Sequence, residues 1–122
     1  MHPGMLALRE LNARINNLRG IVVSQVVRRG DDVEIAFEAS RPFAMRLGGV
    51  LALRDRGVCN APLVSGMAFM PVTRYGRLAA AGAGVDPAAC IELWLDDVVP
   101  VERVLHRLAA VALRAELLPP CR

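Results

Sequence analysis

The chain lacks lysine: its 15 basic side chains are all arginines, and they are set against 12 acidic residues. The missing lysine excludes a standard phosphate-binding P-loop and any Schiff-base mechanism, because both need a lysine amine. Blocks of like charge are lacking too, and after Gly30 two aspartates follow the longest basic run, Arg28 and Arg29. This interleaved charge is not typical of nucleic-acid-binding proteins, which carry a basic stripe or tail.

Cysteine is sparse, with only Cys59, Cys90 and Cys121 spread widely along the chain. An odd number of thiols without a Cys-x-x-Cys pair indicates neither a disulfide framework nor a structural zinc site. No charge-free apolar run of about 20 residues is present to span a bilayer, and no secretory leader is recognisable at the start of the sequence. We therefore expect a cytoplasmic protein with reduced thiols, no metal and no other cofactor.

Aromatic residues make up only 4% of the chain, whereas apolar residues make up 54%. The usual apolar share of a soluble domain is about 45–50%. A length of 122 residues predicts a single domain over residues 1–122. The aliphatic excess is more than a small monomer easily buries, so we expect an apolar patch on the surface.

The first element is predicted as an amphipathic helix over residues 5–18. Its apolar residues recur at spacings of three and four, at Leu8, Leu11, Ile15 and Leu18. Gly20 follows directly after Arg19 and is the usual kind of helix stop.

Two strands are predicted next. Residues 21–27 are rich in β-branched side chains, and residues 33–38 alternate between apolar and polar. Gly30 and two aspartates between them favour an antiparallel hairpin. We expect Val33, Ile35 and Phe37 to face the first helix.

Residues 40–57 fit two structures equally well. Ser40 as a cap and Pro42 in a first turn favour a middle helix ending near Gly57. Gly48 and Gly49 argue against that helix, because each costs about 1 kcal/mol in a helix interior. The alternation of apolar residues through the same segment favours a long strand instead.

The second half of the chain is predicted to begin with extended segments at 58–64 and 67–75, followed by a turn at 74–77. Asp86 is placed to cap a single helical turn, and residues 91–95 read as a strand. Pro100 opens a predicted C-terminal helix that ends before Pro119. Its apolar face would comprise Val101, Val104, Leu105, Leu108, Val111 and Ala112. The expected fold is α+β: a central antiparallel sheet with N-terminal and C-terminal helices packed on it, with a middle helix as the open alternative.

Few residue patterns suggest chemistry. Glu102 and His106 lie one helical turn apart in the predicted last helix, which favours a surface ion pair because no third metal ligand accompanies them. No nucleophile, base and orienting group form a recognisable catalytic pattern around the three cysteines. We therefore predict no catalytic residue.

The segment from Arg74 to Arg77 is the preferred polar contact site. Arg74, Tyr75 and Arg77 combine two guanidinium groups with an aromatic ring, which can hold a carboxylate, a phosphate or a nucleobase. Ordinary solvated turn residues are the alternative interpretation. Large flexible or aromatic side chains that could line a ligand pocket are Met67, Phe69 and Trp94, for which simple core packing is the alternative.

The apolar excess and the lack of a catalytic pattern favour a non-enzymatic interaction protein, either a homodimer or an accessory subunit of a larger assembly. The second hypothesis is a small-molecule-binding domain or small enzyme with a pocket near Met67, Phe69, Trp94, Arg74 and Arg77. A third is an arginine-mediated nucleic-acid binder, which the interleaved charge disfavours.

Overall fold

The computed structural model of the chain describes residues 4–17, 21–59, 65–69, 74–96 and 108–118. Its elements are α1 (Gly4–Asn17), β1 (Val22–Arg29), β2 (Asp32–Glu38), β3 (Phe43–Asp55), β4 (Ser65–Phe69), α2 (Arg74–Gly82), a 3-10 helix (Pro87–Ala89), β5 (Ile91–Asp96) and β6 (Leu108–Leu118). The strands form one antiparallel sheet in the order β1-β2-β3-β6-β5-β4. The predicted α+β class is confirmed.

Helix α1 covers one face of the sheet, as its periodicity predicts. Leu8, Leu11 and Ile15 are buried in the main core, and the helix packs across β4 and β6. At the far end of α1, the Arg14 guanidinium lies 4.8 Å from the centroid of the Phe43 ring. The predicted stop at Gly20 lies outside the described residues.

The hairpin of β1 and β2 is also confirmed. Gly30 in its two-residue turn has a φ of 63°, a conformation that glycine adopts without strain. Val33, Ile35 and Phe37 are fully buried in the same core as the apolar face of α1. The alternation of the second strand therefore predicted its buried face correctly.

For residues 40–57, the strand alternative is correct and no middle helix forms, since β3 runs through the segment. Phe43, Met45 and Leu47 alternate into the core. Gly49 has a φ of 62°, and the register with β6 shifts just beyond it. The two glycines that weakened the helix prediction thus lie where the long strand is irregular.

The prediction of a C-terminal helix is wrong for residues 108–118, which form β6 between β3 and β5. Residues 108–112 are all buried. A strand buried on both faces is continuously apolar, so its sequence also satisfies helical spacing. Residues 100–107 of the predicted helix lie outside the described residues.

The turn predicted at 74–77 is instead the first turn of α2. Its Arg-Tyr-Gly-Arg sequence is typical of a turn, yet the helix continues through the alanines that follow. The neighbouring predictions at Asp86 and at residues 91–95 are confirmed: the Asp86 carboxylate accepts a hydrogen bond from the Ala88 N–H at 3.0 Å, and β5 follows. Of the extended segment predicted at 58–64, only Val58 and Cys59 are described. In the segment predicted at 67–75, residues 67–69 belong to the strand β4, whereas residues 74 and 75 belong to α2.

The sheet is covered on both faces at β5. Ile91, Leu93 and Leu95 belong to the core beneath α1. Glu92 and Trp94 alternate to the opposite face, where α2 packs against β3 and β6. The second, smaller core on this face comprises Ala80, Cys90 and Val111, with Leu51, Ala52, Tyr75, Ala79, Val85 and Leu113 packed around it.

Candidate functional site: α2 above a buried glutamate

Glu92 is fully buried, and it is the only charged side chain that the described residues bury completely. It is the second residue of β5, between two apolar neighbours of the main core. Removing a carboxylate from water costs several kcal/mol unless polar groups surround it, so a buried glutamate marks a site that the fold is built to accommodate. No sequence pattern singles out this residue, because it occupies the outward position of an alternating strand.

The first turn of α2 lies directly over this carboxylate. Gly76 is buried, and a Cβ built on it would lie 2.8 Å from the Cδ of Glu92. One turn further on, Ala80 is buried against the second core. The underside of α2 is therefore made of small residues, which let the helix backbone lie close to the sheet.

Tyr75 lies at the edge of the contact between α2 and the sheet. Its side chain is half-buried, and the Cζ of Arg54 lies 5.3 Å from the centroid of its ring, within the range of a cation–π interaction. Burial raises the pKa of Tyr75 above its ordinary value of 10.0, the Arg54 charge lowers that pKa, and the Glu92 charge raises it. Tyr75, Arg54 and Glu92 thus form one electrostatically connected group.

The outward side of α2 carries Arg74, Arg77 and Leu78, all of which are exposed. Leu78 is 59% exposed, and Leu6 on α1, at 67%, is the other large exposed apolar residue among those described. We call Arg54, Arg74, Arg77 and Leu78 the arginine-leucine surface. This surface has a rigid base, because the same helix is fixed to the sheet from below.

The residues predicted as a ligand site lie on α2, β4 and β5. Arg74, Tyr75 and Arg77 lie together at the start of α2. Trp94 is only 6% exposed, and the register pairs Met67 with Trp94 and Phe69 with Glu92. Arg74, Tyr75 and Arg77 therefore lie next to one another, whereas Trp94 is packed and Met67 and Phe69 lie on the neighbouring strand β4.

The opposite end of this sheet face, over β1, β2, β3 and β6, has a different character. A groove of about 460 Å³ there is lined by Asp32, Arg46, Gly48, Arg114, Ala115 and Glu116. Arg46 lies between two carboxylates, at 3.2 Å from Glu116 and 3.9 Å from Glu34. Charges of both signs alternate across this part of the face, as on an ordinary solvated sheet.

Groups able to hold a metal are not gathered in the described part of the chain, where no three His, Cys, Asp or Glu side chains cluster. Cys59 is exposed and Cys90 is buried. The predicted pair of Glu102 and His106, and Cys121, lie outside the described residues. Neither α1 nor α2 is long and apolar enough to cross a bilayer.

Comparison with known proteins gives no relative: no family model, no curated protein and no solved structure matches this chain.

Proposed function

We propose that this domain is a non-enzymatic interaction protein that binds a protein partner through the arginine-leucine surface. The observation that carries the proposal is the exposure of Leu78 on a helix whose other side packs closely against the sheet. An exposed leucine costs free energy in water, and contact with a partner recovers about 1.5–3 kcal/mol when such a side chain is fully buried. Arginine is also enriched in protein interfaces.

The close packing of α2 against the sheet supports this proposal, because it pre-organises the surface that would meet a partner. Gly76 and Ala80 hold the underside of the helix against β5 and β6, so little conformational freedom remains to be lost when a partner binds. Arg54 is ordered by its contact with the Tyr75 ring. A partner would therefore meet a surface that is already in its binding geometry.

Site-specific photocrosslinking in the native host tests the proposal. A benzoylphenylalanine placed at Leu78 is expected to give a discrete protein adduct on irradiation. The matched control is the same substitution at Leu6, which is exposed to a similar extent on α1. Absence of an adduct at Leu78, or adducts of equal yield at both positions, would contradict the proposal. The mass of the adduct also separates a homodimer from an accessory subunit bound to another protein.

A small-molecule site at the edge of α2 is a second candidate, favoured by the buried carboxylate of Glu92 and the half-buried Tyr75. Buried ionisable groups are enriched at ligand sites. Trp94 is the only tryptophan of the chain, and it lies two residues from Glu92 on the same strand, so its fluorescence reports on ligand entry. A metabolite screen read by this fluorescence should yield a ligand whose effect disappears in Glu92→Gln. A screen without such a ligand removes this candidate.

A further inference from the structure

We infer that the segment which covers the arginine-leucine surface is an acidic peptide segment of another protein that carries at least one large apolar side chain. This inference rests on the proposed function and specifies the chemistry of its partner. It is carried by the lack of an acidic residue in α2, by the exposed leucine among the arginines, and by the half-burial of the Tyr75 ring in contact with Arg54.

The arginines of this surface are free of acidic partners in the described part of the chain. Arg54, Arg74 and Arg77 form no ion pair there, whereas Arg14 pairs with Glu10 and Arg46 contacts two glutamates. Ion pairs within the described residues are formed only by Arg14 and Arg46, and exposed arginines such as Arg9 and Arg41 also have none. At α2, three such arginines surround an exposed leucine.

The described carboxylates that lie nearest in sequence to these arginines already make other contacts or are buried. The Asp55 carboxylate accepts hydrogen bonds from the N–H groups of Gly57 and Val58, at 3.0 and 3.1 Å. Asp86 caps the 3-10 helix, and Glu92 is sealed beneath α2. A partner therefore meets guanidinium groups that can form bidentate hydrogen bonds with incoming carboxylates.

A symmetric contact of this surface with its own copy is unfavourable. Helix α2 has no acidic residue, so a symmetric contact between two α2 helices would bring Arg74 and Arg77 against their own copies. Like charges facing each other across an interface cost several kcal/mol. The surface consequently selects a chemically different partner.

Nucleic acid fits less well than an acidic peptide. Tyr75 is half-buried and one face of its ring is taken by Arg54, which limits the base stacking that single strands need. Leu78 would gain nothing from a phosphate backbone, whereas an apolar side chain of a peptide can pack against it. The combination of guanidinium groups with an exposed leucine thus favours a peptide with both acidic and apolar residues.

Fluorescence anisotropy with the purified full chain tests this chemistry directly. The probes are a labelled peptide of glutamates and aspartates that contains two leucines, the same peptide with serines in place of the leucines, and a labelled oligothymidylate of similar charge. The leucine peptide is expected to bind most tightly, and its affinity should fall as salt rises from low to physiological concentration. Tighter binding of the oligothymidylate, equal binding of both peptides, or no peptide binding at millimolar concentration would overturn the inference.

Variants locate the binding to the proposed surface. The double variant R74E/R77E should weaken the leucine peptide about tenfold or more, and Leu78→Ser should weaken it about fivefold to tenfold. The matched controls are R9E/R41E, which reverses two exposed arginines elsewhere, and Leu6→Ser. Equal losses in the controls would show that only net charge or general hydrophobicity matters, which contradicts the inference.

The crosslinking experiment distinguishes failure of the function from failure of the inference. Sequencing of the partner peptide crosslinked at Leu78 should reveal a segment rich in Asp and Glu. A discrete adduct on a neutral or basic segment would leave the proposed function standing and overturn the inference. Absence of any adduct would remove the function itself.

Discussion

The carboxylate of Glu92 occupies the space that a side chain on Gly76 would need. A Cβ at position 76 would meet the Cδ of Glu92 at 2.8 Å, closer than real Cβ atoms are found, and its Oε2 at 3.2 Å, tighter than most such contacts. The residues lie 16 positions apart, on α2 and β5, so the fit is a tertiary contact. The position of α2 on the sheet, and hence of its outward arginines, depends on this pair.

Gly76→Ala is therefore expected to destabilise the domain by about 1–3 kcal/mol, the usual cost of overfilling a packed site. Gly82→Ala is the matched control in the same helix, since a Cβ there meets nothing within 4 Å. Alanine is the better helix former by up to about 1 kcal/mol, so the control should be neutral or stabilising. Urea unfolding followed by Trp94 fluorescence measures both changes. Equal free energies of unfolding for the two variants would contradict the packing described for Gly76.

The titration of Tyr75 tests the electrostatic group at the border of α2. Tyr75 is the only tyrosine, so absorbance near 295 nm follows its ionisation alone. Its pKa is expected above 10.0, chiefly because burial disfavours the phenolate. Arg54→Gln should raise this pKa further, and Glu92→Gln should lower it. A lower pKa in Arg54→Gln or a higher pKa in Glu92→Gln would show that the charges do not act on the ring as the structure indicates.

The same raised pKa has a consequence for stability. When the folded pKa exceeds the unfolded pKa, the folded state holds its proton more firmly, so the contribution to stability is complete below pH 10 and is lost as pH rises through the folded pKa. Wild type should therefore lose free energy of unfolding above pH 10 more steeply than Tyr75→Phe, which has no phenol to ionise. Parallel curves for the two proteins would contradict this linkage.

Gly49 and Gly30 offer a second matched pair. Both have a φ near 62°, which costs a residue with a side chain about 1–2 kcal/mol. A Cβ at Gly30 meets nothing within 4 Å, whereas one at Gly49 lies 3.0 Å from the Leu113 Cδ1. Gly49→Ala should therefore cost more than Gly30→Ala, by about 1 kcal/mol or more. Thermal unfolding compares them, and an equal loss would show that Leu113 moves aside freely.

The two described cysteines should differ in reactivity. Cys59 is exposed, whereas Cys90 is buried, and burial followed by the nearby Asp86 charge raises the pKa of the Cys90 thiol. Because the thiolate is the reacting form, Cys90 should react with an aromatic disulfide reagent on the order of a hundredfold more slowly than Cys59. Comparison of Cys59→Ser with Cys90→Ser, both carrying Cys121→Ser, measures the two rates. Similar rates in the folded protein would contradict the burial of Cys90.

The elements that were predictable from the sequence are those specified by neighbouring residues. Helix α1 has a one-sided apolar stripe, and the hairpin at Gly30 has both alternation and turn residues. The cap at Asp86 also acts over only two residues. In each case the residues that indicate the structure lie within the element itself or in the turn beside it.

The remaining elements depend on residues distant in sequence. Residues 108–112 of β6 are covered on both faces of the sheet and are therefore continuously apolar. Such a run satisfies helical spacing as well as strand spacing. Helix α2 forms from turn-like residues because Gly76 fits over Glu92. The candidate residues Arg74, Tyr75 and Arg77 were found as a local cluster, but their relation to Glu92 and Arg54 exists only in the folded chain.

The sheet order has a consequence for how the protein is made. Strand β6 separates β3 from β5, although it follows both along the chain. During synthesis, the β1–β3 unit and the β4–β5 pair each keep an additional unpaired strand edge until the ribosome has delivered residues 108–118. Nascent chains stalled before that point would expose these two extra edges, and open edges are prone to mispairing. Cells that overproduce this protein therefore carry this added aggregation risk until β6 pairs with β3 and β5.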